Sequence, residues 1–299
     1  MNGDLKGTGV RLRGEMAPPK VALVTMEPMP AQADHAALAA ALDKRGVVPI
    51  DVAWDHPFFD WSKVDVAVIR SCWDYHLSPA RFLAWTRRVP RLLNSARVIA
   101  WNVHKGYLRQ LEARSVPTIE TLWVPQGPAP QLTKLMASYG WHQAVVKPCI
   151  SGGAHRTVRC SVLDGREGQK VLAEICETGE AMIQPYLPTV ETSQERSLVF
   201  IDGVFSHAVR RDPFLTTKQH TASLAAAADD ERWVAEHALR GLEFGPLLFA
   251  RVDVVRDEHG DVRVMELELI EPSLFLDAWL PAADALADAI IRRLDGWLT

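Results

Sequence analysis

The sequence predicts an α/β domain followed by two α+β units, and three observations carry that reading. In the first hundred residues short apolar, β-branched runs alternate with helix-like stretches, as in a parallel sheet covered by helices. Over residues 102–187 the runs are shorter and broken by Gly and Pro, the texture of a small mixed module. Over residues 249–275 two apolar runs flank Asp257, Glu258, His259, Gly260 and Asp261, which reads as an antiparallel hairpin.

Taken in order, residues 1–18 are polar and are expected to form a flexible N-terminal extension. Residues 20–26 read as a first buried strand, 34–45 as an Ala/Leu-rich helix stopped by Gly46, and 47–54 and 64–70 as further strands. A helix over 79–94 and a short strand over 98–101 complete a first domain, 19–101. Ligands of such sheets bind beyond the carboxyl ends of the strands, which makes Trp73, Asp74 and Tyr75 candidate substrate contacts. The alternative is that Asp74 or Ser78 caps the next helix while Trp73 and Tyr75 close the core.

The second unit, 102–187, opens with a helix over 103–115 carrying Lys105, followed by strands over 118–124 and 144–148, the latter ending at Lys147. Ser151, Gly152 and Gly153 follow, then extended structure over 157–160, a helix over 168–177 and a strand over 181–187. The glycines allow backbone N–H groups to wrap a phosphate with Lys147 as a point charge beside it, although a plain turn gives the same pattern. The third unit, 188–299, begins with a hairpin through Asp202 and Gly203, strands over 197–201 and 204–210. A loop over 211–226, a helix over 229–241, the acidic hairpin and a helix over 281–297 complete it.

Alternation along the acidic hairpin puts Arg251 and Asp253 on one face, and Glu266 and Glu268 on one face of the return strand, with Met265, Leu267 and Leu269 opposite. A tight turn pairs Asp253 with Val264 and Arg251 with Glu266. Three carboxylates that close repel one another unless a cation holds them, and a hard divalent ion bound through oxygen fits; a solvated strand face is the alternative. Arg210 and Arg211 suit a planar anion such as carboxylate or phosphate.

Composition excludes other classes of partner. A net charge of -4 and a pI near 6.2 give no basic field for nucleic acid or anionic lipid, and no apolar run reaches membrane-spanning length. Cys72, Cys149, Cys160 and Cys176 lack metal-site spacing, so a reducing cytoplasm is the expected setting.

The ordered set Lys105, Lys147 in V-V-K-P before the Gly loop, Gln184 to Leu187, Glu191, R-V-D and M-E-L-E resembles the ATP-grasp superfamily over residues 19–299. That resemblance implies the ATP-grasp fold of three subdomains, with ATP held between the middle and C-terminal ones. It implies that Lys105 and Lys147 contact phosphates, that Ser151, Gly152 and Gly153 form a lid loop, and that Gln184, Pro185, Tyr186 and Leu187 form the hinge that reads adenine. Glu191 would hold the ribose; Asp253, Glu266 and Glu268 would bind two Mg²⁺ ions, with Mn²⁺ as the alternative. Arg251, Lys147 and Arg210 would be catalytic, and Trp73, Asp74, Tyr75, Arg211 and Ser273 would meet the substrate. Two departures stand out: Glu268 replaces a frequent Asn, with Glu271 either making good the lost selectivity or, the favoured reading, capping the strand, and Gln184 replaces a frequent hinge acid.

The implied chemistry is transfer of the γ-phosphoryl group of ATP to a carboxylate, giving an acylphosphate that an amine displaces. W-D-Y-H, W-N-x-x-K and E-L-E-L-I-E-P-S-L-F resemble the branch near glutathione synthetase and D-alanine:D-alanine ligase. Within it they look most like the O-ureido-D-serine cyclo-ligases of D-cycloserine biosynthesis, which implies a small amino-acid-like substrate and ring closure. An intermolecular amino-acid or peptide ligase and a non-catalytic ATP-binding module are the alternatives. A homodimer is compatible with the superfamily, though the sequence marks no interface.

Overall fold

The structure is a computed structural model and describes residues 17–30, 32–212 and 222–298. Most of the anticipated extension over 1–18 therefore lies outside the described residues. The first sheet contains β1 (Lys20–Thr25), β2 (Val48–Ala53), β3 (Val66–Ser71) and β4 (Leu92–Leu93), all parallel, in the order β2-β1-β3-β4. β3 is buried along its whole length, as a central parallel strand covered on both faces must be. Helix α1 (Ala33–Asp43) lies on one face with Leu38 and Leu42 against Val21, Leu23 and Val68; Phe82 and Trp85 of α2 (Pro79–Thr86) cover Ala22, Val24 and Ile69 on the other.

Two expectations for this domain fail at its end. The helix anticipated over 79–94 stops at Thr86, because Pro90 cannot continue it and Leu92–Leu93 join the sheet instead. Residues 98–101, anticipated as a strand, lie within helix α3 (Ala96–Asn102), whose first turn is capped by Ser95 Oγ accepting from Val98 N at 3.4 Å. Helix α4 (Tyr107–Ala113) follows at once.

The second sheet is antiparallel, with β5 (Leu122–Val124), β6 (Gln143–Pro148), β7 (Val158–Ser161) and β8 (Ala181–Pro185) in the order β5-β8-β6-β7. Helices α5 (Leu132–Ser138), not anticipated, and α6 (Arg166–Thr178) cover one face, Met136, Leu172 and Ile175 packing on Val146 and Ile183. After the short helix α7 (Thr189–Thr192) comes the third sheet: β9 (Glu195–Ile201), β10 (Val204–Arg211), β11 (Ala222–Ala225), β12 (Phe249–Arg256) and β13 (Val262–Glu268), order β11-β10-β9-β12-β13. β11 falls in the stretch anticipated as loop over 211–226, of which 213–221 lie outside the described residues.

Helix α8 (Asp229–Leu239) packs on β12 and β13, and α9 (Leu280–Leu298) returns to the first sheet, where Leu286 and Ile290 meet Leu38 and Leu42. The edge of β13 is tied down by residues far away in sequence. Val264 N donates to Pro117 O at 2.8 Å, Leu267 N to Tyr107 Oη at 3.1 Å, and Asn102 bonds Leu267 O and Leu269 N at 2.8 and 2.9 Å. An edge strand whose groups are satisfied in this way is held in one register. The chain beyond it is fixed too: Asp34 accepts from Leu274 N and Leu276 N at 2.8 and 3.0 Å, and Arg70 holds Asp34 at 3.0 Å.

Candidate active site

A β-bulge decides what β13 shows to the cleft. Asp253 lies opposite Glu266 and Arg251 opposite Glu268, and Val254 then pairs with Val264, leaving Met265 as the extra residue. This corrects the pairing of Asp253 with Val264 that a tight turn and strict alternation imply. Strict alternation from the buried Val262 and Val264 would drive Glu266 into the core. The bulge instead keeps Val262, Val264, Leu267 and Leu269 in the core while Met265, Glu266 and Glu268 line a cavity of about 660 Å³. Met265, anticipated with the core-facing residues, therefore packs with Ile119, Tyr186, Leu187 and Val190 at the apolar end of that cavity.

The carboxylates meet their cations at close range. Arg251, 4% exposed, donates from Nε and Nη2 to the two oxygens of Asp253 at 2.9 Å each, and from Nη1 to Ser273 O at 3.1 Å. The same guanidinium pairs with Glu268. Asp253 also accepts from Arg211 Nη2 at 2.8 Å and Ser197 Oγ at 2.5 Å. Burial alone would raise the Asp253 carboxyl, but Arg211 and Arg251 hold it below the ordinary value. Glu266 is likewise desolvated, yet its ion pair with Lys105 and the field of Lys147 keep it low. Lys105 donates also to Ser151 O at 3.2 Å. Burial lowers Lys147, with Lys105 adding to that and Glu266 opposing it.

Glu268 behaves differently. Burial, with Glu266 and Asp253 beside it, pushes its carboxyl up to about 7 despite Arg251. The reason is visible in the lining: among the described residues six carboxylates (Glu195, Asp212, Asp253, Glu266, Glu268, Glu271) share the cavity with four cations (Lys105, Lys147, Arg211, Arg251). The all-oxygen donor set of Asp253, Glu266 and Glu268 fits a hard divalent ion such as Mg²⁺.

The structure brings most of the anticipated residues to this cavity. Lys105, Lys147, Ser151, Gly152, Gly153, Gln184, Pro185, Tyr186 and Leu187 line it from the middle segment, and Arg211, Arg251, Asp253, Glu266, Glu268 and Ser273 from the C-terminal segment. Gln184 is 4% exposed and donates from Nε2 to Thr121 Oγ1 at 2.8 Å. Trp73 and Tyr75 line it from the first domain. At Gly152 an added Cβ would stand 3.3 Å from Trp73 O and 3.4 Å from His76 Nδ1, so a bulkier residue would press this loop against the first domain.

Three anticipated residues do not line the cavity. Asp74 accepts from Trp54 Nε1 at 3.0 Å and belongs to the packing of the first domain. Arg210 is exposed on the face of β10 opposite to Arg211, since neighbours along a strand point to opposite sides. Glu191 is drawn away by Arg159 at 2.8 Å and Tyr186 Oη at 2.5 Å. Conversely, Glu195 lines the cavity without having been anticipated there, and Glu271, read chiefly as a strand cap, lines it too. Burial holds Glu195 above the ordinary carboxylate value even with Arg211 bonded to it at 2.8 Å. Glu195 shares a face of β9 with Ser197, so alternation would have revealed it had the strand been started two residues earlier.

Lys147 near the end of β6 and Lys105 just ahead of α4, set against a C-terminal hairpin bearing Arg251 and a carboxylate trio, define an ATP-grasp ligase, and solved structures agree on the fold. D-alanine–D-alanine ligase from Bacillus anthracis, complexed with ATP, superposes with a TM-score of 0.67 at 14% identity, covering 93% of this chain and 97% of that one. The ATP-grasp ligase PsnB, complexed with precursor peptide PsnA2 and AMPPNP, gives 0.61 at 15% identity, covering 95% and 99%. The crystal structure of D-cycloserine synthetase DcsG gives 0.85 at 31% identity, covering 92% and 99%. Cycloserine biosynthesis protein DcsG of Streptomyces lavendulae is 33% identical over 288 residues, 89% of this chain and 95% of that protein. A family model for the N-terminal domain of D-cycloserine synthetase DcsG matches residues 21–94. The chain belongs to the DcsG family of ATP-grasp ligases.

Proposed function

We propose that the protein closes O-ureido-D-serine into an isoxazolidinone ring at the expense of ATP, the ring-forming step towards D-cycloserine. The observation that carries this reading is the bulged register of β12 and β13, which gathers Arg251, Asp253, Glu266 and Glu268 on one wall opposite Lys105 and Lys147, in a chain of the DcsG family.

Lys105 and Lys147 neutralise the ATP phosphates, and the backbone of Gln184, Pro185, Tyr186 and Leu187 faces the base beside the apolar patch of Met265 and Ile119. Asp253, Glu266 and Glu268 would hold two Mg²⁺ ions, or Mn²⁺, which supply charge neutralisation and alignment of the phosphates when bound. The substrate carboxylate takes the γ-phosphoryl group. Arg251, aimed by Asp253 and Ser273 O, then stabilises the oxyanion that forms when nitrogen attacks the acyl carbon. In O-ureido-D-serine that nitrogen is tethered through oxygen and two carbons, so attack gives a five-membered ring and phosphate leaves. Tethering supplies the proximity that a two-substrate ligase must obtain by binding. The carbamoyl group remains on the ring nitrogen until water removes it. Residues 102–187 act as the lid that excludes water from the activated carboxyl, 188–299 as the catalytic half and 19–101 as the substrate side.

The four cysteines are free and buried, which suits a reducing cytoplasm. Among the described residues no helix is long and apolar enough to cross a membrane.

O-ureido-D-serine supplied with MgATP as the sole amino acid is expected to give ADP. A requirement for a second amine would move the reading to an intermolecular ligase, the alternative suggested by the peptide-bound PsnB fold.

Glu268 sets the direction of a pH effect. With its carboxyl raised from 4.5 to about 7, the folded protein keeps a proton that the unfolded chain has released. That stabilisation is complete below the unfolded value and is lost as the pH rises through 7. Mg²⁺ competes with the same proton, so the rise in Tm on adding Mg²⁺ is expected to be larger at pH 8 than at pH 6. An equal rise at both would remove Glu268 from the metal site.

A further inference from the structure

Glu271 is a cavity carboxylate with no part in the steps above. It lies three residues beyond the end of β13 and lines the cavity beside Trp73 and Ser273. Its backbone is pinned from both sides: the Trp73 indole N–H donates to Glu271 O at 3.2 Å, Arg251 holds Ser273 O at 3.1 Å, and Asp34 holds Leu274 N at 2.8 Å. The side chain therefore has little freedom of direction. Its Oε1 lies 3.9 Å from where a Cβ on Gly152 would stand, at the meeting point of lid loop and first domain.

Among the described residues no hydrogen-bond donor reaches that carboxyl. Two cations act on it through space, Lys105 and Arg251, and both are engaged elsewhere, the first with Glu266 and Ser151 O, the second with Asp253, Glu268 and Ser273 O. Burial with Glu268 and Glu266 nearby raises Glu271 well above the ordinary carboxylate value. A carboxyl desolvated among like charges gains most from a cation that brings its own hydrogen bonds.

We propose that Glu271 receives the α-ammonium group of the substrate and thereby selects an α-amino acid over a plain carboxylic acid. This rests on the ligase reading above. Ring closure leaves that amine unreacted, so it is available as a handle throughout the reaction, and held as an ammonium it does not compete as a nucleophile. Trp73, bonded to Glu271 O, and Tyr75 line the same cavity and add the aromatic surface that suits a compact cation.

The test compares O-ureido-D-serine with its des-amino analogue, 3-(ureidooxy)propanoate. Loss of a charged hydrogen bond in a buried site lowers kcat/KM for the analogue on the order of 10²-fold in the native protein. In Glu271→Gln the two substrates should converge to within roughly threefold of each other, with KM for ATP unchanged, whereas Glu271→Asp should keep a preference for the amino acid. Discrimination that survives in the Gln variant overturns the assignment. So does a raised Mg²⁺ requirement with discrimination intact, which would make Glu271 a metal ligand. If the native protein releases no ADP from O-ureido-D-serine, the ring-closing reading fails separately. Glu271 is then read by thermal melts with MgADP, where D-serine should stabilise the native protein more than 3-hydroxypropanoate does and the Gln variant should not distinguish them. A difference that persists in the variant again overturns the assignment.

Discussion

Glu266→Gln is expected to remove ADP release almost completely, by roughly 10²–10³-fold or more, while the protein still folds and melts moderately below its native temperature in the absence of metal. The two halves of that expectation come from the same carboxylate. Glu266 stands opposite Asp253 on the bulged strand and pairs with Lys105, so an amide in its place weakens the oxygen donor set and leaves the lysine without its counter-charge. Relief of repulsion on Glu268, which Glu266 helps to raise, offsets only part of that loss. Lys105 retains Ser151 O as an acceptor, which limits the loss of stability without removing it. Undiminished ADP release by this variant would remove Glu266 from the metal site, and a large fall in Tm would make its role structural.

Arg251→Met is expected to lose both activity and stability. The arginine is 4% exposed and is the common partner of Asp253, Glu268 and the Ser273 carbonyl. Its removal leaves Asp253 with Arg211 and Ser197 but strips Glu268 of its cation. Breaking one side of a buried ion network costs about 3–5 kcal/mol, which for a chain of this size lowers Tm by roughly 10 °C. Arg251→Lys restores a charge without the planar fork, so it should recover part of the Tm and little of the turnover. A Met variant that melts with the native protein would show that Asp253 and Glu268 are neutralised by other groups.

Much of this site is legible in the sequence because it lies on strands. Period-two alternation alone puts Arg251 with Asp253 and Glu266 with Glu268, and the Asp202–Gly203 turn, with φ of +53° and +78°, fixes the second hairpin. What alternation cannot show is a slip of one residue. The bulge at Met265 follows from anchoring of β13 by Pro117, Tyr107 and Asn102, and those partners are remote in sequence. Whether Arg210 or Arg211 enters the cavity is likewise a question of register, answered by the pairing of Arg211 with Glu195. Glu191 was displaced by Arg159, a contact between two separate elements that no local pattern marks. Residues 98–101 form an apolar run too short for its period to distinguish helix from strand, and the cap at Ser95 decided it.

Family membership and fold are carried by the whole chain, whereas ring closure is a claim about one electrophile and one tethered nucleophile. The most direct measurement supplies O-ureido-D-serine labelled with ¹⁸O in its carboxylate, with MgATP and no other amine, and follows the label by mass spectrometry. One labelled oxygen should appear in the released phosphate and the other in the ring carbonyl of the product. Phosphate free of label, or product formed only when a second amine is present, would contradict activation of the substrate's own carboxylate for ring closure.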